Sequence, residues 1–121
     1  MKLGLLGYPI AHSLSPKLYQ MILKEKLASY ELFPFEASEE VPSLLHFQSR
    51  LDGLNITTPY KTHFIDDVII ESPIVRELGA INTISFTPNG NFATNTDAVA
   101  VEEILTRYKT EYKNIHLVLL G

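Results

Sequence analysis

The 121-residue chain contains no cysteine. That excludes disulfides, thiolate zinc sites and a cysteine nucleophile, and it fits a cytoplasmic protein. Long apolar runs are missing too. None approaches the roughly 20 residues that a membrane-spanning helix needs, and the run after Met1-Lys2-Leu3 is too short for a signal peptide. Positive charge is not in excess: 10 Lys and Arg against 14 Asp and Glu leave a net charge of −4. Such a balance carries no electrostatic footprint for nucleic acid. There are no internal repeats or low-complexity segments; His46 reads as a surface or packing residue and His63 as structural, so no metal site is expected. What remains is 45% hydrophobic and 20% charged, a composition suited to a globular domain with a proper core. The chemistry left open is that of a small molecule, with monomer and homodimer both possible.

Strand-like and helix-like patterns alternate along the chain. Residues 2–6 form a short apolar run ending at Gly7. Ser15-Pro16 then reads as a cap and first helical position, with Leu18, Met21, Ile22 and Leu27 at helical spacing. Residues 30–35 read as a second strand, and 38–51 as a helix despite Pro42. A third strand is expected over 51–56. Thr58-Pro59 should then cap and open a helix that carries Lys61 in its first turn and packs through Phe64, Val68 and Ile69. Ser72-Pro73 opens another helix, stopped at Gly79. Residues 80–86 alternate as a strand, Pro88-Asn89-Gly90-Asn91 turns a hairpin, and 92–94 pair back. Asp97 falls at or just inside the N-terminus of a helix containing Val101, Ile104, Leu105 and Tyr108. Residues 115–120 read as a strand buried on both faces, leading into Gly121 as a dinucleotide-binding unit would begin. The expected fold is therefore α/β, a three-layer α/β/α sandwich whose mostly parallel sheet contains one antiparallel strand. Residues 1–114 would form one domain and 115–121 the first strand of another.

Several polar residues share one topological address. Ser13, Ser15, Thr57 and Lys61 follow strands at their carboxyl ends, Asp97 follows the hairpin, and Asn82 is placed within its strand near the same edge. Ligands of open parallel sheets bind at such ends. Hydroxyls, an amide, one cation and one anion suit a small, anionic, polyhydroxylated molecule. The serines could hold a carboxylate while Thr57, Asn82 and Asp97 bond hydroxyls, and Lys61 with Asp97 would make an acid–base pair. A helix terminus would push the lysine pKa down and Asp97 would push it up.

Four motifs, His12-Ser13-Leu14-Ser15-Pro16, Asn55-Ile56-Thr57-Thr58-Pro59-Tyr60-Lys61, Gly79-Ala80-Ile81-Asn82-Thr83 and Asn95-Thr96-Asp97, together resemble shikimate dehydrogenase in its amino-terminal, substrate-binding half. The resemblance implies an oxidoreductase of chorismate and aromatic amino-acid biosynthesis. Its reaction would be the reversible, NADPH-dependent reduction of 3-dehydroshikimate to shikimate. It implies that Ser13 and Ser15 bind the substrate carboxylate, that Thr57, Asn82 and Asp97 contact ring hydroxyls, and that Lys61 and Asp97 are catalytic. NADP would be held by a following domain, with Gly121 opening its glycine-rich turn, so the segment alone should be inactive. A quinate-preferring relative, or a non-catalytic module for a carboxylated polyol, fits the same motifs. The chain departs from the family's pattern at Tyr8, at Tyr19-Gln20, and at Ala98 and Ala100, which stand where glycine is common.

Overall fold

The computed structural model describes residues 1–111 and Val118, with side chains through Lys109 and at Val118. The expected strand at 115–120, the boundary at 114 and the cofactor contact at Gly121 lie outside the described residues, apart from Val118, which is outside any strand.

Strand β1 spans Lys2–Leu6, as its pattern predicts. Helix α1, Ser15–Leu23, starts one residue earlier than expected. Leu14 takes the N-cap position and makes no side-chain cap bond, so Ser15 is not the cap; its own amide instead donates to Ser13 Oγ at 3.2 Å. Strand β2 is Ser29–Phe33. The helix expected over 38–51 breaks into a 3-10 turn at Ser38–Glu40 and a short α2 at Leu44–Gln48. Pro42 between them has no amide to donate to a continuous ladder. Strand β3 begins at Gly53, later than expected, because Asp52 is engaged with β1: its amide donates to the Lys2 carbonyl and its carboxylate accepts the Lys2 amide.

The helix expected at Pro59 does not form. Residues 57–64 make successive turns, Tyr60 N–H to Thr57 O at 2.9 Å and His63 N–H to Tyr60 O at 3.0 Å, before a 3-10 turn at Ile65–Asp67. The Lys61 carbonyl, which a helix would need internally, instead accepts the amide of Ile81 at 2.8 Å. Tyr60 and Phe64 are both buried, and the Tyr60 hydroxyl donates to the Phe35 carbonyl at 2.7 Å. Tertiary partners override the local helix signal. Ile69 consequently belongs to a two-residue strand, β4 (Ile69–Ile70), and is exposed rather than packing a helix.

Helix α3 is Pro73–Leu78, closed by Gly79 in the left-handed conformation (φ 63°) as its position predicts. Strands β5 (Thr83–Thr87) and β6 (Gly90–Thr94) form the expected hairpin. Asn82 therefore immediately precedes its strand rather than lying within it. Helix α4 runs Thr96–Glu111.

The six strands join in the order β2-β1-β3-β5-β6-β4. Only β5 is reversed: it pairs antiparallel with β3 and β6, whereas all other pairs are parallel. This agrees with a mostly parallel sheet containing one antiparallel strand. Tyr30 and Phe33 of β2, an odd number of residues apart, face opposite sides. Tyr19 of α1 packs on Tyr30 with ring centroids 5.1 Å apart, and Phe47 of α2 meets Phe33 edge-on at 5.1 Å. Helices thus cover both faces, giving three layers. The core on the α2 side joins Leu6, Phe47, Leu54, Ile56, Phe64 and Val75, among other residues. Fully buried Phe47 anchors it, and deleting such a ring typically costs about 3–5 kcal/mol. The opposite side is sparser, and Leu18, Met21 and Ile22 of α1 are exposed.

Candidate functional site

The strand register brings the ends of four strands to one edge. Leu6 of β1 lies beside Ile56 of β3, Asn55 opposes Thr83 at the start of β5, and Thr83 opposes Thr94 at the end of β6. The segments leaving or entering there carry every polar residue singled out in the sequence. Gly7 lets the first two approach each other: a Cβ at this position would lie 2.3 Å from the Thr57 methyl and 3.2 Å from the Thr58 carbonyl. The Tyr8 amide then donates to Thr58 O at 2.9 Å, fastening the loop before Ser13 to the loop before Lys61.

Lys61 and Asp97 meet directly, Nζ to Oδ2 at 2.9 Å. The Lys61 hydrogen bond holds the Asp97 carboxyl below the usual carboxylate range, outweighing partial desolvation, and Lys61 charge and an Asn82 hydrogen bond act in the same direction. Asp97 lies in the first turn of α4, where a carboxylate is also favoured by the helix dipole. It is not the cap. Asn95 is, its Oδ1 accepting the amides of Asp97 at 3.1 Å and Ala98 at 3.2 Å. Lys61 occupies a turn, so the expected conflict between its charge and the dipole of its own helix does not arise.

Asn82 sits between the pair and the sheet. Its Oδ1 accepts the Thr96 amide at 3.0 Å, and its Nδ2 donates to Thr96 Oγ1 at 2.9 Å. A chain of polar contacts continues from it across the sheet. Thr83 Oγ1 donates to Asn82 Oδ1 at 3.0 Å, Asn55 Nδ2 to Thr83 Oγ1 at 3.3 Å, and the Tyr30 hydroxyl to Asn55 Oδ1 at 3.0 Å. Burial pushes the Tyr30 phenol up to about 12. Ser13 supports the Ser15 amide through its hydroxyl. Thr57 is half-buried against Gly7.

Tyr30, Asn55, Thr83 and Asn95 were missing from the site expected from sequence. Asn95 had a legible signal, being an asparagine immediately before a helix. The other three depend on strand register. An open cleft of about 740 Å³ also runs from Lys61 and Asp97 between α3 and α4, with Leu78, Val101 and Leu105 among its apolar walls. Ser13, Ser15 and Thr57 do not line it. Among the described residues no group of three or more His, Asp or Glu could hold a metal, and no helix is long and apolar enough to cross a membrane.

The profile of the shikimate dehydrogenase substrate binding domain matches residues 5–84. The chain belongs to this family. It is 30% identical over 123 residues to a shikimate dehydrogenase (NADP(+)) of Methanosphaera stadtmanae, covering 98% of this chain and 42% of the relative. An Exiguobacterium protein of the same name is 32% identical over 130 residues, covering 100% of this chain and 47% of the relative. Among solved structures, shikimate 5-dehydrogenase from Thermus thermophilus in complex with NADP(H) and shikimate superposes with a TM-score of 0.73. It is 30% identical, with 90% of this chain and 42% of that chain covered. The chain thus spans less than half the length of these relatives.

Proposed function

We propose that this chain is the substrate-binding and catalytic part of a cytoplasmic NADP-dependent shikimate dehydrogenase, which interconverts 3-dehydroshikimate and shikimate in chorismate and aromatic amino-acid biosynthesis. The observation that carries the reading is the Lys61–Asp97 contact of 2.9 Å at the edge where the family motifs converge. The Thermus relative, whose complex contains shikimate and NADP(H), supports the choice of ligands.

In this reading Ser13 and Ser15 accommodate the carboxylate at one side of the crevice. Thr57, Asn82 and Asp97 receive the ring hydroxyls. During reduction the Lys61 ammonium donates a proton to the carbonyl oxygen that becomes a hydroxyl; during oxidation neutral Lys61 takes it back. Asp97, kept ionised by Lys61, orients that amine and accepts a hydrogen bond from the reacting hydroxyl. NADP, when bound, supplies or accepts the hydride. The described glycines form no phosphate cradle for it: Gly4, Gly7 and Gly53 face close neighbours, Gly79 closes α3 and Gly90 closes the hairpin. The nucleotide is therefore assigned to another part of the enzyme, and no step here depends on its placement.

Titration of the chain with shikimate, followed by NMR, is expected to shift Ser13, Ser15, Thr57, Asn82 and Asp97 together. No response, or shifts confined to other residues, overturns the substrate assignment. A parallel titration with quinate reads the preference between the two acids. With a nucleotide-binding domain supplied on the same polypeptide, Lys61→Ala should abolish most NADP reduction while changing shikimate affinity little. Collapsed affinity with turnover preserved at saturation would remove Lys61 from the proton transfer.

A further inference from the structure

Lys61 and Asp97 are 36 residues apart in sequence, and both side chains extend from backbone that is fixed by one short segment. That segment is Ala80–Ile81–Asn82. The Ile81 amide holds the Lys61 carbonyl at 2.8 Å, and the Asn82 carbonyl and amide join the ends of β3 and β6 through Ile56 and Thr94. On the Asp97 side two side chains reach the same segment. Asn82 caps Thr96, as described, and Asn95 spans from α4 back to Ala80, with Nδ2 donating to the Ala80 carbonyl at 3.0 Å.

Asn95 is the only buried polar residue among the described side chains, at 3% exposure. Burying an amide is unfavourable unless both of its ends are bonded. Here both are: Oδ1 takes two amides of the first turn of α4, and Nδ2 takes Ala80. A cap alone would need only the oxygen, and serine, aspartate or asparagine would serve. The nitrogen adds a tether that an ordinary cap lacks. It links the helix turn bearing Asp97 to the segment before β5 that holds Lys61.

We propose that Asn95 is a positioning residue that sets the Lys61–Asp97 distance by clamping the start of α4 to Ala80. This rests on the reading of Lys61 and Asp97 as the proton-handling pair, and it assigns Asn95 no contact with substrate. Lys61 is the charged group that faces Asp97 from the opposing loop; Glu102 and Lys109 lie further along α4 in the same cleft.

The test is the titration of the Asp97 carboxyl, followed by carbon NMR in the 121-residue chain. Asn95→Ser keeps an oxygen for the helix amides but loses the donor to Ala80. Its Asp97 midpoint is expected to rise toward the ordinary carboxylate range, and shikimate affinity to fall about fivefold, as for the loss of one hydrogen bond. Asn95→Gly, which removes the side chain at a position where glycine is tolerated, should shift the midpoint at least as far. An Asp97 titration unchanged from the parent in either folded variant overturns the proposal. In the unmodified chain, the Asn95 side-chain amide protons should exchange slowly with solvent, and exchange at the rate of an exposed amide overturns it independently of any variant. If the parent chain fails to bind shikimate, the substrate reading fails, while the Asp97 titration still decides the clamp.

Discussion

Gly7 and Thr57 touch where β1 and β3 give way to their loops, and the space between them does not admit a single methyl group. A Cβ on Gly7 would approach the Thr57 methyl to 2.3 Å and Ile10 Cγ2 to 2.9 Å. The glycine therefore sets how closely the serine-bearing loop lies to the loop of Lys61. Gly7→Ala is expected to destabilise the fold by about 1–3 kcal/mol through overpacking. It should also weaken shikimate binding, because relief of the clash pushes the two loops apart. Urea unfolding and ligand titration of the same variant measure both effects.

The Lys61–Asp97 pair makes a prediction about acid. A carboxyl whose pKa is depressed in the folded state contributes stability above its unfolded value, and this is lost as pH falls through the lower, folded value. Lys61→Met removes the largest cause of the depression. Asp97 should then titrate higher, near an ordinary carboxylate, and the acid limb of the stability curve should flatten over that window. Carbon NMR of Asp97 and thermal unfolding across pH check the two halves. The effect on stability should be small, since the Asp97 side chain is 68% exposed.

Tyr30 provides a separate handle on the polar chain. Its phenol is pushed to about 12 by burial, so it remains a hydrogen-bond donor to Asn55 under mildly alkaline conditions. Subtracting the ultraviolet titration of Tyr30→Phe from that of the parent, which has 6 tyrosines, should leave a component with a midpoint near 12 rather than near 10. A difference curve centred near 10 would contradict the burial and its hydrogen bond.

The parts of this fold legible in the sequence are those governed by neighbours in the chain. Residues 2–6, the turn at Pro88-Asn89, the Gly79 stop and the onset of α4 each follow from local chemistry, and each is found in place or within a residue or two. Strand β4 was not legible, because two residues carry no period and only pairing with β6 makes them a strand. The segment around Lys61 departs from its local helix signal for a related reason. Thr58-Pro59 is a sound helix start, but the bonds that decide the conformation come from Ile81 and Phe35, which are 20 and 25 residues distant. For the site, the sequence marks the residues at the sheet edge and suggests that Lys61 and Asp97 meet, in agreement with their distance. It does not disclose that Asn55 and Thr83 align across β3 and β5, since strand register is a tertiary property.

The reversed direction of β5 has an engineering consequence. Because the strand starts at the crevice, its turn with β6 lies at the far edge of the sheet, with Pro88 and Asn89 exposed. Extra residues inserted there would lengthen a ribbon that points away from Lys61, Asn82 and Asp97. That bend is the natural place to graft a fluorophore or an affinity tag while leaving ligand recognition intact.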